Sequence, residues 1–245
     1  MPSTLVLAYG ALAVLAAGFV RGYGGFGFSM IAVVSLTLVM PPGEVVPVIL
    51  LLEVAASAWL LPGVWRQVHW RSLGWLSLGV LLGTPAGVYL LANVPDRPMR
   101  AAIAVVVLAL AVILVKGLRF ESIPGPRVAT ATGLVSGLFN GGAALGGPPA
   151  ILFYFSSPGG AALGRASLIA FFLGTDVFAG AVCALQGLIQ IRTLILFTVF
   201  LGPLILGLIL GSRSFHKTDE SVFRRRVLML LMALSAVSLA RTVWS

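Results

Sequence analysis

The chain has 245 residues, of which 59% are hydrophobic and only 9% charged, and its mean hydropathy is +1.08. Ordinary soluble chains run roughly 45–50% apolar and about 25% charged, so a water-soluble globule is excluded and a lipid bilayer is the expected solvent. The formal net charge of +9 does not point to nucleic acid, because no aromatic-interleaved basic patch occurs and the one dense run is Arg224, Arg225 and Arg226. Basic loops facing the cytoplasm account for such an excess in a membrane protein.

In chain order, the opening MPSTLVLAYGALAVLAAG lacks a positive n-region and stays apolar past any small-residue cleavage site. It reads as a first membrane segment rather than a leader. Further apolar segments lie at about 28–40, 45–61, 72–91 and 99–117, then at about 127–139, 148–156, 163–184, 193–211 and 226–243. Between the two sets, KGLRFESIPGPR (116–127) carries cations, two prolines and two glycines, the composition of a linker. The expected division is a first transmembrane repeat (1–117), a linker (118–126) and a second repeat (127–245). Cys183, the single cysteine, cannot form an internal disulfide and reads as a small buried residue.

The halves resemble each other. Gly18-Phe-Val-Arg21-Gly22 sets against Gly133-Leu-Val-Ser136-Gly137, Trp70–Leu73 against Ile191–Leu194, and Gly83/Gly87 against Gly207/Gly211. If the first region of each half goes in and comes back, one side of the membrane holds Arg66, Arg71, Lys116, Arg119, Arg127, Arg165, Arg213, Lys217, Arg224, Arg225 and Arg226. The other side holds Arg97, Arg100, Arg192 and Arg241. That asymmetry obeys the positive-inside rule and makes the number of crossings per half odd, hence the repeats inverted. The expected fold is an all-α polytopic membrane protein of about 8–10 membrane segments, with a glycine-rich helix break opening each repeat.

The first break contains Gly22, Gly24 and Gly27 in RGYGGFG, which spell the dinucleotide fingerprint G-x-G-x-x-G. That fingerprint needs a preceding strand and an acidic residue about 20 positions on. Here an apolar run precedes it and Pro47 stands at the acidic position. The second half repeats the feature as NGGAALGGPP, residues 140–149. Irregular backbone at membrane depth is tolerated where it lines a cavity, and paired interruptions mark a transporter's binding site. Free N–H groups and the positive dipole end at a break favour an anion. The expected substrate contacts are Arg21, Gly22, Gly24, Gly25 and Gly27 in the first break, and Asn140, Gly141, Gly142, Gly146 and Gly147 in the second. The competing reading is that such glycines allow close helix packing, which Gly83/Gly87 and Gly207/Gly211 suit better.

Arg21, Glu53 and Asp176 are the ionisable residues deep in apolar segments. Each costs at least ~2.5–3.5 kcal/mol to insert, which makes function the default reading. Glu53 and Asp176 are candidates for loading and releasing a proton; the alternative is a counter-ion to Arg21. Ser136, Gln186 and Gln190 are neutral polar candidates. His69 and His216 fall in loops without a second ligand at metal spacing, so no metal is expected. No G-x-S-x-G, H-E-x-x-H or Walker motif occurs, which argues against an enzyme and against a cofactor.

The doubled unit, and above all GLVSGLFNGGAALGGPP (133–149), resembles the sulfite exporter TauE/SafE family of membrane permeases over roughly residues 8–243. The resemblance implies transport of small sulfur-containing anions such as sulfite, sulfoacetate or other organosulfonates. It also implies a multi-pass location in the bacterial inner (plasma) membrane. The expected function is a secondary transporter of such an anion, coupled to protons through Glu53 or Asp176. The alternatives are an uncoupled small-anion channel and a non-transporting assembly subunit. The expected partners are the anion and the bilayer, without nucleic acid; a homo-oligomer is left open.

Overall fold

The computed structural model describes residues 3–116, 124–155 and 160–214, with isolated positions between 229 and 238. Most of the expected linker, and the last apolar segment apart from those positions, lie outside the described residues. Regular structure among the described residues is helical throughout. The helices are α1 (Thr4–Gly24), α2 (Phe28–Thr37), α3 (Pro42–Leu60), α4 (Trp70–Asn93), α5 (Asp96–Lys116), α6 (Pro126–Ala143), α7 (Gly147–Phe155), α8 (Gly160–Leu185) and α9 (Ile191–Ser214). Two 3-10 turns, Leu61–Gly63 and Trp65–Gln67, join α3 to α4.

Among the described residues, five stretches are long and apolar enough to cross a bilayer: Thr4–Gly24, Pro42–Gly63, Trp70–Asn93, Ala162–Leu185 and Ile191–Arg213. The chain is therefore a multi-pass membrane protein. Its outer surface carries bare Leu5, Leu12, Leu82 and Leu185, side chains that lipid solvates at no cost. α2 and α7 have only 10 and 9 residues. At ~1.5 Å per residue they reach about 15 Å or less, half of the ~30 Å hydrocarbon core. Helices α2 and α7 are thus too short to cross it by themselves.

α2 folds back along α1: Gly27 lies against Val20 near the turn, and the Tyr9 hydroxyl donates to the Ser35 carbonyl at the far end, 3.2 Å away. α3 and α8 run in opposite directions. Leu61 packs with Ala166, Ile169 and Ala170, while Glu44 pairs with Arg192 beyond the other end of α8.

The closest helix contacts pair elements from opposite halves of the chain. α4 lies on α6, with Gly79, Gly83 and Gly87 stacked on the backbone carbonyls of Thr130, Leu134 and Leu138. α1 lies on α9, where Gly18 and Gly22 meet the carbonyls of Leu204 and Leu208, and Gly207 and Gly211 meet those of Leu15 and Phe19. Contact positions rise together in both pairs, so each pair is parallel. Between helices in lipid the attraction is mainly van der Waals, so backbones must approach closely, and a stripe of glycines permits it.

Candidate functional site

The site is built at the end of α1. Gly25 takes φ 76 and its N–H caps the helix on the Arg21 carbonyl at 2.7 Å; Gly27, at φ 93, precedes α2. An L side chain in this left-handed region costs roughly 1–2 kcal/mol, so the turn selects glycine at both positions. The turn leaves Arg21 in the last turn of α1, facing inward.

The Arg21 side chain is completely buried. Its Nη1 pairs with Glu53 Oε2 at 2.9 Å, and its Nη2 donates to Ser57 Oγ at 2.7 Å. Its guanidinium lies over the Phe172 ring, 4.6 Å from the centroid. The Ser29 hydroxyl, in the first turn of α2, donates to the other oxygen of Glu53. The Nε–H of Arg21 is buried and has no acceptor.

The second cluster sits at the end of α6. Ala144 takes φ 54 and its N–H reaches the carbonyls of Asn140 and Phe139. Pro148 and Pro149 occupy the first turn of α7, where a missing N–H costs no helical bond. Asn140 Nδ2 donates to Asp176 Oδ1 at 2.8 Å, and Asn140 Oδ1 accepts the Gly146 N–H at 3.2 Å. Asp176 Oδ2 and Ser136 Oγ are buried without hydrogen-bond partners. Ser136 and Asn140 are one turn apart on α6, hence neighbours on one face.

The two clusters meet. Phe172, under the Arg21 guanidinium, also closes on Gly147, where a Cβ would come within 3.2 Å of its ring. Glu53 and Arg21 both lie close enough to act electrostatically on Asp176. The buried ionisable side chains of the two clusters are therefore Arg21, Glu53 and Asp176, one base against two acids. Glu53 has a cation in contact; Asp176 has a neutral amide. The two carboxylates, grouped together by sequence, occupy different environments.

The predicted glycines divide. Gly22 and Gly141 lie on the backbones of Leu208 and Thr84, and a Cβ on Gly142 would stand 3.4 Å from the Gly87 carbonyl, so these three are packing positions. Gly24, Gly25 and Gly27 form the first turn; Gly146 and Gly147 lie at Asn140 and Phe172. Gln186 and Gln190 lie past the end of α8, away from both clusters. His69 caps α4: its backbone N–H donates to Ser167 Oγ at 3.0 Å, and Ser72 Oγ, next to its ring, reaches the Tyr154 hydroxyl at 3.0 Å.

Four contributors escaped the sequence reading. Ser57 follows Glu53 by one helical turn and Phe172 precedes Asp176 by one turn, a spacing that could have found both. Ser29 carries no such signal. Arg165 lies with its side chain against Gly25, 2.9 Å from where a Cβ would stand, and only the tertiary fold brings it there.

A sequence model of the sulfite exporter TauE/SafE family matches residues 10–239. The chain belongs to this family. A curated relative from Cupriavidus necator, named "Probable sulfite/organosulfonate exporter TauE", is 28% identical over 237 residues, covering 93% of this chain and 91% of its own. No solved structure matches the chain significantly. Membership in a family of exporters makes this a membrane transport protein, in agreement with the apolar helices and with the sequence resemblance.

Proposed function

We propose that the protein is a secondary transporter of small sulfur-containing anions, sulfite or organosulfonates, in a bacterial inner membrane. The observation that carries this reading is Arg21, a fully buried guanidinium at a helix interruption whose Nε–H lacks an acceptor. A buried donor without a partner costs ~1–3 kcal/mol, which an oxyanion acceptor recovers. Guanidinium and sulfonate match as fork and plane.

Proton coupling follows from charge. The cluster sets two carboxyl groups against one guanidinium, and an entering anion adds a negative charge at membrane depth. A proton taken up on Asp176, the carboxylate without a cation in contact, offsets it. Glu53 acts as the counter-ion that the substrate competes with for Arg21. In support of two inverted repeats, 119 residues separate Arg21 from Asn140, Gly25 from Ala144, and Ser57 from Asp176. The bonds Arg21–Ser57 and Asn140–Asp176 both join residues 36 apart. This register pairs Arg21 with Asn140 rather than with Ser136, and Glu53 with Phe172. The helix interruptions at 25–27 and 144–146 then correspond, and the swapped pairs α1/α9 and α4/α6 are symmetry mates.

The test is thermal unfolding in lipid nanodiscs with sulfite, ethanesulfonate, sulfate and acetate at matched ionic strength. A ligand at 100 times its Kd stabilises the folded state by about 2.7 kcal/mol. The charge-neutral variant Arg21→Gln/Glu53→Gln should fold and lose the shift. If it responds to sulfur anions as the wild type does, Arg21 is not the anion's partner and the reading fails.

A further inference from the structure

A second cavity, of about 760 Å³, lies outside the buried cluster, at the junction of α3, the two 3-10 turns and α8. Its walls include Ala58, Leu61, Val64 and Leu173, and its polar edge is Trp65, Arg66 and Gln67. The Arg66 guanidinium, the Gln67 amide and the Trp65 indole N–H form no hydrogen bond or ion pair among the described residues. Arg66 and Gln67 are exposed, and the Trp65 ring is braced against Trp70 at 4.5 Å between centroids. Trp65 and Trp70, at the start of α4, stand where interfacial aromatic belts form, which places the polar edge at headgroup level. The cavity thus has three donor-bearing side chains in its lining, one of them a full positive charge, beside an apolar wall, and among the described residues no acidic side chain lines it.

Its inner end is close to Arg21. Ala58 follows Ser57, and Leu173 follows Phe172, the hydrogen-bond partner and the ring partner of Arg21. The cavity and the buried cluster therefore both draw residues from α3 and α8.

We propose that this cavity is an outer oxyanion-binding site, held by Arg66 with Gln67 and Trp65, that concentrates a sulfonate-type or phosphate-type group next to the buried cluster. The inference rests on the anion-transport reading above. The oxyanion has two chemical sources, a free organosulfonate or the headgroup of an anionic lipid. Donor chemistry is the same for both, and a cavity that opens at the interface admits either one. A cation at the mouth of a low-dielectric cleft raises the local concentration of such anions, an effect that falls with ionic strength.

The experiment uses the full chain with Cys183→Ser and Ala58→Cys in nanodiscs. The readout is the rate of modification of the new thiol by a charged methanethiosulfonate. Ethanesulfonate in pure phosphatidylcholine should slow modification at least threefold if the free anion is the occupant. Replacing a third of the lipid by phosphatidylglycerol should slow it instead if the headgroup is. Either result supports the site, provided that Arg66→Gln removes the protection. Where Ala58→Cys does not fold, Gly63→Cys serves, because a Cβ there meets nothing within 4 Å. Absence of protection by both, or protection that survives Arg66→Gln, overturns the proposal. Thermal stabilisation of the Arg66→Gln variant by ethanesulfonate, read in parallel, reports the Arg21 site without the outer one. Stabilisation without protection sinks the outer site and leaves the transport reading standing.

Discussion

Glu53→Gln isolates the contribution of charge at the centre of the molecule. The amide keeps the volume of the side chain and can still accept from Ser29, so the change removes little but the negative charge beside Arg21. At the observed 2.9 Å and an effective dielectric of 20, the lost attraction is about 6 kcal/mol before any relaxation. Removing one partner of a buried pair typically costs ~3–5 kcal/mol, because the remaining charge is orphaned. For a chain of this size ~2–4 °C of melting temperature corresponds to each kcal/mol, so a fall of roughly 6–20 °C is expected in nanodiscs. Arg21→Gln should cost a comparable amount. The double variant should recover at least 2 kcal/mol of the sum, since the two changes act on one interaction. Glu53→Gln should also be stabilised by sulfur anions more than the wild type is, because the substrate no longer competes with a carboxylate. A Glu53→Gln protein that melts with the wild type, or a double variant whose losses simply add, would refute the reasoning that the pair is formed and buried.

Three further outcomes follow from individual contacts. Gly83→Ala places a methyl group on the Leu134 carbonyl and should cost 1–3 kcal/mol by forcing α4 off α6, whereas Gly180→Ala, with open space around its Cα, should gain ~0.5–1 kcal/mol; melting curves of the two decide it. Ala144→Gly relieves a left-handed φ of 54 and should raise stability by about 1 kcal/mol, or 2–4 °C, if the α6–α7 turn is as described. Asp176→Asn should abolish the proton uptake that accompanies anion addition, measured with a pH dye in weak buffer, while leaving the anion-induced thermal shift in place. Uptake that persists in Asp176→Asn but disappears in Glu53→Gln would transfer the proton to Glu53.

Much of the architecture was legible because a bilayer imposes simple demands. An apolar stretch long enough to span must be a helix, so hydropathy alone located α1, α3, α4, α8 and α9. Prolines and glycines in RGYGGFG and NGGAALGGPP marked where helices stop, since Gly25 and Gly27 adopt conformations that side chains resist and Pro148 and Pro149 lack a donor. The cost of burying charge singled out Arg21, Glu53 and Asp176. Each of these inferences depends on a local property, backbone conformation or transfer energy, that a residue carries wherever it sits.

What the sequence could not supply is who meets whom. Gly22 and Arg21 are neighbours in the chain, yet one is spent on the backbone of Leu208 and the other faces Glu53, because successive residues on a helix point about 100° apart. Glu53 and Asp176 read alike as isolated acids in apolar runs. Only the packing of α1 and α6 against α3 and α8 gives the first a guanidinium and the second an amide. Arg165 reaches Gly25, and Phe172 reaches Arg21, across more than a hundred residues of chain, and Phe172 also closes on Gly147. Those contacts arise from helix pairing, α1 with α9 and α4 with α6. That pairing is decided by the fit of glycine stripes to facing carbonyls, a property of two surfaces together and of neither sequence segment by itself.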